Sequence, residues 1–405
     1  MTANNLLEFD IIIVGCSFVG MTTALAVSKR HSHLKIAIIE KQNIFASSKN
    51  SDGRAYALSK SSLDLLQEIE VLPSILNNSG LIQKINITDG YCPYVLRFNA
   101  ENEQKNDKQN PCQTVNYLGI ITENHLLFEA LKEKITLQPN LTFFCPNHYQ
   151  NISFHQQKAV VLLDNNHQIT APLLLSCDGR FSALREKFNI YTYRKNYQQT
   201  AIVFKIKHTL SHQNIAFEKF FSGGPLAMLP LADSHQSSIV WILPHKNAEL
   251  LLGLDKANFL QQLQKQCSEL GEIDIISTKF SYPLVAVQAE NFVYQQMILL
   301  GDSACGVHPI AGQGFNLAVN NLQILLKLLQ TQIFAGLPIN QQQFLQNFAS
   351  QAKKQSTQML FATDVLDSLF KQNSLLLGVA RKIGLFAVNH NKIMKNFFIK
   401  TAGGK

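Results

Sequence analysis

The feature that most constrains the fold is a pattern near the N-terminus. The apolar run Phe9–Val14 is rich in β-branched residues and leads into a glycine-rich turn, GCSFVG, at residues 15–20. A helical pattern follows, and then a second apolar run that ends at Glu40. This order of strand, glycine turn, helix, strand and acid is the context of a dinucleotide-binding fingerprint. The sequence therefore predicts a parallel β-α-β unit in an α/β sheet.

The glycines and the acid of this unit each have a physical role in holding a nucleotide. Gly15 is expected to make the tight turn, and Gly20 to let the helix pack closely on the strand. Glu40 is expected to accept hydrogen bonds from ribose hydroxyls. Ser17 stands where such fingerprints have their middle glycine, so a slightly longer approach of the pyrophosphate or a hydroxyl hydrogen bond is expected there. From this segment alone, a β-α-β unit without a ligand stays an open alternative.

Two further apolar runs also end in an acid that precedes a loop and a helix. One is APLLLSCDGRFSALRE (171–186), which has Asp178 and Gly179 at its turn. The other is GDSACGVHPIAGQGFNLAV (301–319), behind the apolar run 297–300. Ligands of open α/β sheets bind at the carboxyl ends of the strands. Three such ends in one chain indicate one long ligand across the sheet, such as FAD.

The region from about Tyr191 to Lys279 has a different character. It contains strand-like stretches, for example TAIVFKIKH (200–208), and then one helix-like stretch. This pattern predicts an antiparallel sheet that would cover the ligand, with GGPLAMLP (223–230) as an apolar surface. The polar segment 99–113 is expected to be an exposed loop.

Composition excludes several classes of protein. The chain has 405 residues, 46% of them hydrophobic and 16% charged, which is typical of a globular protein with two or more domains. No uninterrupted apolar run is long enough for a transmembrane helix, and the N-terminus lacks the pattern of a secretory signal. Seven scattered cysteines without a CxxC pair argue against disulfides and against a metal site, and they predict a reducing cytoplasm.

The net charge of +8 is concentrated at the C-terminus. Residues 371–405 contain seven Lys or Arg and no Asp or Glu. A basic amphipathic segment can rest on an anionic bilayer, which would place a cytoplasmic protein on the inner face of the cell membrane. The alternative is a helix packed on the rest of the protein or on a partner subunit, with its charges solvated. Both stay open.

The three strand-end motifs GCSFVG, CDGRFS and GDSACGVHPIAGQGFN carry a family resemblance. In this order they resemble the class A flavoprotein aromatic hydroxylases, which have the para-hydroxybenzoate hydroxylase fold. Several more stretches are similar to the ubiquinone-biosynthesis hydroxylases within that group, and the matches run nearly end to end. These stretches are SDGRAYALS (51–59), ITENHLL (121–127), GPLAMLPL (224–231), SYPL (281–284) and HPIAGQGFNLAV (308–319).

The resemblance implies an α/β protein with α+β elements. A Rossmann-like FAD-binding domain would carry an inserted antiparallel-sheet substrate domain and C-terminal helices. The expected segments are 1–75, 110–185 and 285–350 for the FAD-binding domain, 76–109 and 186–284 for the substrate-binding sheet domain, and 351–405 for the C-terminal helical region.

The resemblance also assigns roles to individual residues. Asp302 would bind the ribitol hydroxyls, and Asp178 would serve the pyrophosphate side and the use of reductant. Arg54 would lie near the cofactor, and Asn124 would hydrogen-bond it. The expected cofactor-binding set is Gly15, Ser17, Gly20, Glu40, Arg54, Asn124, Asp178, Gly179, Asp302, Pro309, Gly312, Gln313, Gly314 and Asn316.

The last part of this set would face the flavin ring. Pro309 and Gly312–Gly314 would let the backbone lie against the isoalloxazine, and the helix that begins near Asn316 would aim its N–H groups at the flavin N1 and C2 carbonyl. His308 could tune the flavin or the substrate, and Tyr282 could line the substrate cavity. A packed structural role is the alternative for both of these side chains.

The implied reaction is the insertion of one oxygen atom from O₂ into the ring of a polyprenylated phenol, through reduced FAD and a C4a-hydroperoxide. NADPH or NADH would be the reductant. Other ubiquinone-biosynthesis proteins or a second copy of the chain are expected partners, and nucleic acid is not. Another flavoenzyme of the same fold stays an alternative, although the single Trp241 argues against a halogenase. Ser17 and Cys305 motivate another alternative, a non-catalytic assembly factor.

Overall fold

The computed structural model describes residues 6–46, 53–90, 95–100, 117–308 and 312–371. Pro309, the basic segment from 372 onward and most of the polar segment 99–113 therefore lie outside the described residues. The strands within the described ranges are, in chain order, β1 (Leu6–Glu8), β2 (Ile11–Val14), β3 (Ile36–Ile39), β4 (Ala55–Ser59), β5 (Gly80–Ile82), β6 (Lys84–Asp89), β7 (Val95–Asn99), β8 (Gly119–Glu123), β9 (Leu141–Phe144), β10 (Tyr149–His155), β11 (Lys158–Leu163), β12 (Gln168–Ala171), β13 (Leu173–Ser176), β14 (Thr192–His208), β15 (Ile215–Phe221), β16 (Gly224–Pro230), β17 (Gln236–Pro244), β18 (Ile273–Ile275), β19 (Phe280–Ala289), β20 (Val293–Tyr294), β21 (Met297–Leu299) and β22 (Cys305–Gly306).

Helices cover these strands. They are α1 (Phe18–Arg30), α2 (Lys60–Glu68), α3 (Leu72–Leu76), α4 (Asn124–Thr136), α5 (Ala183–Lys187), α6 (His245–Leu252), α7 (Lys256–Gln264), α8 (Gln313–Phe334) and α9 (Gln342–Lys371), with 3₁₀ turns at Ser268–Leu270 and Gly301–Ser303. Among the described helices, none is long and apolar enough to cross a membrane.

The sheet that carries the glycine turn has the strand order β20-β21-β13-β2-β3-β9. All pairs from β21 to β9 are parallel, and β20 is antiparallel at one edge. Every residue of β2, β3 and β13 is buried, as expected where both faces of a parallel sheet are covered. The predicted β-α-β unit is therefore present, with α1 between β2 and β3.

A second, larger sheet has the order β22-β19-β14-β17-β16-β15-β6-β7, and β18 also pairs with β14. Its pairs are antiparallel except β15 with β6, which is parallel. The sequence analysis places the end of the substrate domain at residue 284, but β19 continues through this position to Ala289. β22 pairs with β19 beyond it. The large sheet thus takes strands from residues 84–306, on both sides of that expected boundary.

The long strand β14 contributes to two cores because successive side chains of a strand point to opposite faces. Ile202 and Phe204 pack with Phe259 of α7 in one buried cluster. The alternating residues Ala201 and Val203 point to the opposite face and belong to the main core, which also contains the parallel sheet. One face of the large sheet is therefore closed by α6 and α7, and part of the other face packs on the parallel sheet and its helices.

Candidate functional site

The three strand ends singled out in the sequence lie side by side. Ser176 of β13 pairs with Val14 of β2 on one side and with Leu299 of β21 on the other. The next residues continue this alignment, since the Cys177 amide donates to the Val14 carbonyl and the Leu300 amide to the Ser176 carbonyl. The loops that begin at Gly15, Cys177 and Gly301 therefore leave one edge of one sheet.

The glycine turn has the geometry that its sequence predicts. Gly15 has φ of +96°, and a Cβ there would stand 2.5 Å from the Cys177 carbonyl oxygen. A Cβ on Gly20 would stand 1.9 Å from the Gly15 carbonyl oxygen, so α1 packs against the turn at a distance that only glycine allows. The exposed Ser17 is the N-cap of α1, and its side chain makes no capping hydrogen bond. No side chain of Ser17 therefore occupies the free N–H groups of the first turn of α1. These N–H groups are the donors that an anionic group bound at this helix end would use.

Glu40 is held next to the turn by backbone amides. One carboxylate oxygen accepts from the Cys16 amide at 2.8 Å, and the other accepts from the Gln42 amide at 2.9 Å. A carboxylate oxygen has more than one acceptor direction, so these bonds orient the group and leave capacity for a hydroxyl donor. The position of Glu40 therefore agrees with its predicted role toward a ribose.

The two aspartates of the other strand ends differ in their surroundings. Asp178 accepts from the hydroxyls of Ser176 and Ser182 at 2.6 and 2.8 Å, and from the Leu184 amide at 3.1 Å. These bonds fold its own loop onto α5. Asp302 instead pairs with the guanidinium of Arg180 at 2.9 Å, and its side chain is 35% exposed. Both carboxylates are half-buried, and they differ in their partners: hydroxyls and an amide of nearby residues for Asp178, and a guanidinium for Asp302.

Two arginines that the sequence reasoning gave no role organise this edge. Arg180 also donates to the Val285 carbonyl at 3.0 Å, so it bridges the parallel sheet and the large sheet. Arg185 is 1% exposed and donates to the carbonyls of Ser303 at 2.7 Å and Arg180 at 2.6 Å. Burial lowers the pKa of Arg185. The signal in the sequence was a pair of cations just after an Asp-Gly turn, but their partners Asp302, Val285 and Ser303 lie more than 100 residues away.

The start of α8 rests on β4. Gly312 has φ of +65°, and a Cβ there would stand 2.9 Å from the Cβ of Ala57. Among the described residues, apart from its chain neighbours and the backbone of α8, no heavy atom lies within 4 Å of a Cβ built on Gly314, so this part of the protein leaves space there. Gln313, between the two glycines, is 8% exposed. The backbone therefore packs on Ala57 at Gly312 and leaves free space at Gly314. A side chain at position 314 would occupy that space.

Asn316 is a positioning side chain in this geometry. Its Nδ2 donates to the Ala57 carbonyl at 2.8 Å, and its Oδ1 accepts from the Ser59 amide at 3.0 Å and from the Ser62 hydroxyl at 2.7 Å. The side chain is 2% exposed. The side chain of Asn316 therefore links α8 to β4, and the predicted role of this helix start toward a cofactor stays a prediction.

Three residues predicted from separate motifs meet beside β4. The backbone N–H of Asn124 donates to the backbone carbonyl of Arg54 at 3.1 Å. The Arg54 guanidinium lies 5.1 Å from the centre of the Tyr282 ring. Arg54 is exposed, Tyr282 is half-buried and Asn124 is buried. Residues 54, 124 and 282 are distant in the chain, and only the pairing of β4 with β8 and the position of β19 bring them together.

The remaining predicted residues have mixed outcomes. Gly179 has φ of +85°, and within the described part of the chain only its own neighbours in sequence lie within 4 Å of where a Cβ would stand, which suits close approach of a ligand. His308 is 1% exposed and faces the protein interior through Gln199 and Tyr197. Cys305 is 2% exposed, and burial raises the pKa of its thiol to about 12, so it is a packed thiol rather than a nucleophile.

The apolar stretch at residues 223–230 presents less surface than the sequence suggests. Leu226 and Met228 are buried in the cluster formed with α6 and α7. Because strand side chains alternate, Ala227 and Leu229 are the half-buried members of the other face.

The geometry as a whole fits FAD. The uncapped start of α1 suits the pyrophosphate and Glu40 the ribose. The accessible carboxylate of Asp302 suits a polyol chain, and the open backbone at Gly314 suits a flat ring. Within the described residues, no group of histidines, cysteines and acids could hold a metal ion.

Comparison with known proteins agrees with this geometry. Residues 8–336 match the FAD binding domain family. The chain is 28% identical to the ubiquinone hydroxylase UbiL of Rhodospirillum rubrum over 397 residues, which are 98% of this chain and 89% of that protein. It is 27% identical to the ubiquinone hydroxylase UbiM of Neisseria meningitidis over 98% of this chain and 85% of that one.

Two solved structures show the same fold. The p-nitrophenol 4-monooxygenase PnpA of Pseudomonas putida aligns with a TM-score of 0.78 and 14% identity over 99% of each chain. Klebsiella pneumoniae HpxO, complexed with FAD and uric acid, aligns with a TM-score of 0.72 and 12% identity over 98% of this chain and 96% of that one. The resemblance predicted from the motifs is confirmed, and the chain belongs to the FAD-binding-domain family, with ubiquinone hydroxylases among its relatives.

Proposed function

We propose that this protein is an FAD-dependent monooxygenase that hydroxylates the aromatic ring of a polyprenylated phenol in ubiquinone biosynthesis. The observation that carries the proposal is the meeting of three strand-end loops at one sheet edge, together with the open backbone at Gly314. The overall reaction would consume the phenol, O₂, NAD(P)H and a proton, and yield the hydroxylated phenol, water and NAD(P)⁺. The reductant is NADPH or NADH.

The residues of the chain would divide the work of binding. The start of α1 would hold the pyrophosphate, Glu40 the ribose hydroxyls and Asp302 the ribitol hydroxyls. Gly312 and Gly314 would let the backbone support the ring system. Bound FAD supplies the activation of O₂, and the protein supplies orientation and the exclusion of water. No acid–base pair is demanded of the chain for such chemistry.

The substrate would enter between this edge and the large sheet. Tyr282 is half-buried beside Arg54, and Leu229 is half-buried on the face of β16 away from α6 and α7. A phenol with an isoprenoid tail is an apolar ligand that needs such a mixed surface, with aromatic and aliphatic contacts and few polar ones.

The first experiment tests binding and turnover separately. The purified protein reconstituted with FAD should show flavin absorption near roughly 450 nm. With NAD(P)H, ¹⁸O₂ and a short-chain prenylphenol in detergent, mass spectrometry should find one labelled oxygen atom in the product. A protein that takes up no FAD would contradict the proposal and favour an assembly factor. Flavin reduction without any labelled phenol, across a series of prenylphenols, would favour another flavoenzyme activity.

We further propose that the basic C-terminal segment brings the enzyme to its substrate at the inner face of the membrane. The seven cations of residues 371–405 have no acid among them, and a polyprenylated phenol resides in the bilayer. Other ubiquinone-biosynthesis proteins or a second copy of this chain are the proposed partners at that surface.

Changing Lys382, Lys392 and Lys395 to Gln should weaken sedimentation with anionic vesicles. Each cation near such a surface contributes about 1 kcal/mol, so three together predict roughly a hundredfold weaker binding. The matched control changes the exposed Lys41, Lys246 and Lys265 to Gln, which removes the same charge elsewhere. Binding that depends neither on lipid charge nor on the C-terminal substitutions would leave the segment with a packing role only.

A further inference from the structure

A buried polar chain joins the C-terminal helix α9 to the segment that precedes α8. Tyr197 of β14 is 4% exposed, and its hydroxyl donates a hydrogen bond to Asp364 Oδ1 of α9. The other oxygen of Asp364 pairs with Lys195 Nζ at 3.0 Å. Lys195 also lies 4.9 Å from the centre of the Tyr197 ring. Asp364 therefore holds the hydroxyl of Tyr197, and the Lys195 ammonium group contacts the face of its ring.

The other side of Tyr197 contacts His308. The two rings meet edge to face, with centres 4.5 Å apart and planes at 81°. His308 Nε2 lies 3.3 Å from Gln199 Oε1, and Gln199 Nε2 donates to the Gly223 carbonyl at 3.4 Å. Each of these three side chains is at most 4% exposed. His308 is therefore held by β14 through a ring contact and through an amide.

An irregularity in β14 creates this arrangement. The register between β14 and β19 shifts between Asn196 and Thr200, and Gln198 has φ of +56°, a left-handed conformation that side chains rarely adopt. Bulges of this kind re-aim side chains and are common beside active sites. Here the bulge lies between Tyr197 and Gln199, the two residues that contact His308.

The hydroxyl of Tyr197 is a permanent donor. Burial, and then the hydrogen bond and charge of Asp364, raise the pKa of this phenol above its usual range. Tyr197 therefore keeps its proton wherever an ordinary tyrosine does, and the phenol donates to Asp364 at neutral pH.

We propose that Tyr197 is a positioning residue that, with Asp364, couples α9 to His308, which precedes Gly312 and Gly314 by four and six residues in the chain. The proposal rests on the proposed function, in which FAD lies against those glycines. It connects α9, through Tyr197, to His308 at the start of the motif that contains those glycines. His308 serves here as a packing contact of Tyr197 and Gln199 and not as an acid or base.

The test replaces Tyr197 with Phe, which keeps the ring contact to His308 and removes only the bond to Asp364. The control is Tyr193→Phe, at a half-exposed tyrosine of the same strand. We expect Tyr197→Phe to bind FAD roughly tenfold more weakly, because a hydrogen bond to a charged group is lost. We also expect a shifted flavin absorption band and a lower kcat at unchanged KM for the phenol, whereas Tyr193→Phe should match the wild type.

Asp364 provides a second pair of variants that separates positioning from folding. Asp364→Asn keeps an acceptor oxygen for Tyr197 and should stay near the wild type in FAD affinity and spectrum. Asp364→Leu should lose at least as much as Tyr197→Phe, because it also removes the pair with Lys195. The double variant of Tyr197→Phe with Asp364→Leu should lose little more than Asp364→Leu alone, since that change has already removed the bond to Tyr197.

Three results would overturn the inference. The first is a flavin spectrum and FAD affinity of Tyr197→Phe equal to those of Tyr193→Phe. The second is a loss in Asp364→Asn as large as that in Asp364→Leu, which would assign the effect to the charge pair with Lys195. The third is additive losses in the double variant. If the wild type itself takes up no FAD, the proposed function fails and this inference fails with it; FAD uptake by the wild type with unaltered variants refutes the inference alone.

Discussion

Gly20→Ala should remove FAD binding almost completely. The added methyl group would stand 1.9 Å from the Gly15 carbonyl oxygen, a backbone atom that cannot rotate away. Either α1 or the turn must move, and a misplacement of about 1 Å at a binding site costs roughly a hundredfold. Overpacking of this kind also destabilises a fold by about 1–3 kcal/mol. We would measure FAD affinity by fluorescence quenching, and stability by urea unfolding.

Gly253→Ala is the matched control for this change. Gly253 follows α6, has φ of −75°, and offers a Cβ only ordinary contacts at 3.5 Å. The Gly253→Ala variant should bind FAD with the affinity of the wild type and unfold at a similar urea concentration. Wild-type affinity in Gly20→Ala would contradict the assignment of this turn to the pyrophosphate.

Asp302→Ala should release FAD on dialysis. The carboxylate is 35% exposed at the end of β21 and would accept hydrogen bonds from the ribitol. Losing a charged acceptor costs about 1.5–3 kcal/mol, which is roughly ten- to a hundredfold in affinity. The measurement is the flavin-to-protein ratio after extensive dialysis, followed by the dissociation constant of re-added FAD.

The ion pair with Arg180 demands a second variant. If Asp302 serves only to hold Arg180, then Arg180→Leu should lose as much FAD as Asp302→Ala. If Asp302 contacts the cofactor, Arg180→Leu leaves that carboxylate in place and should lose less, and Asp302→Asn, which keeps an acceptor, should fall between the wild type and Asp302→Ala. Equal FAD content in Asp302→Ala and the wild type would refute the ribitol role.

Sequence reasoning anticipated the parts of the site that depend on short segments. The glycine turn at Gly15 and Gly20, the acid at Glu40 and the apolar parallel strands are set by neighbouring residues and by strand and helix periodicity. The meeting of three loops also followed, because parallel strands place their carboxyl ends at one edge.

The roles of individual side chains were harder to anticipate. Asp178 and Asp302 have the same local context in the sequence, yet one is enclosed by the hydroxyls of its own loop and the other pairs with Arg180. Asn316 was predicted from its motif to take part in cofactor binding, and the bonds of its side chain to β4 and α2 were not anticipated. These outcomes depend on which strands are neighbours, which the local pattern does not specify.

By itself, the sequence determined that a nucleotide site with three strand-end loops would form. Only the tertiary structure decided which side chains at this site are occupied by hydrogen bonds within the protein and which could contact a ligand. Arg180 pairs with Asp302, Arg185 with Ser303 and Asn316 with Ala57, and each of these partners lies more than 100 residues away in the chain. The link from Tyr197 to Asp364 likewise spans 167 residues and depends on a bulge that no residue pattern announced. The physical reason is that a hydrogen bond acts over about 3 Å in space, and only strand order, register and helix packing decide which residues come that close.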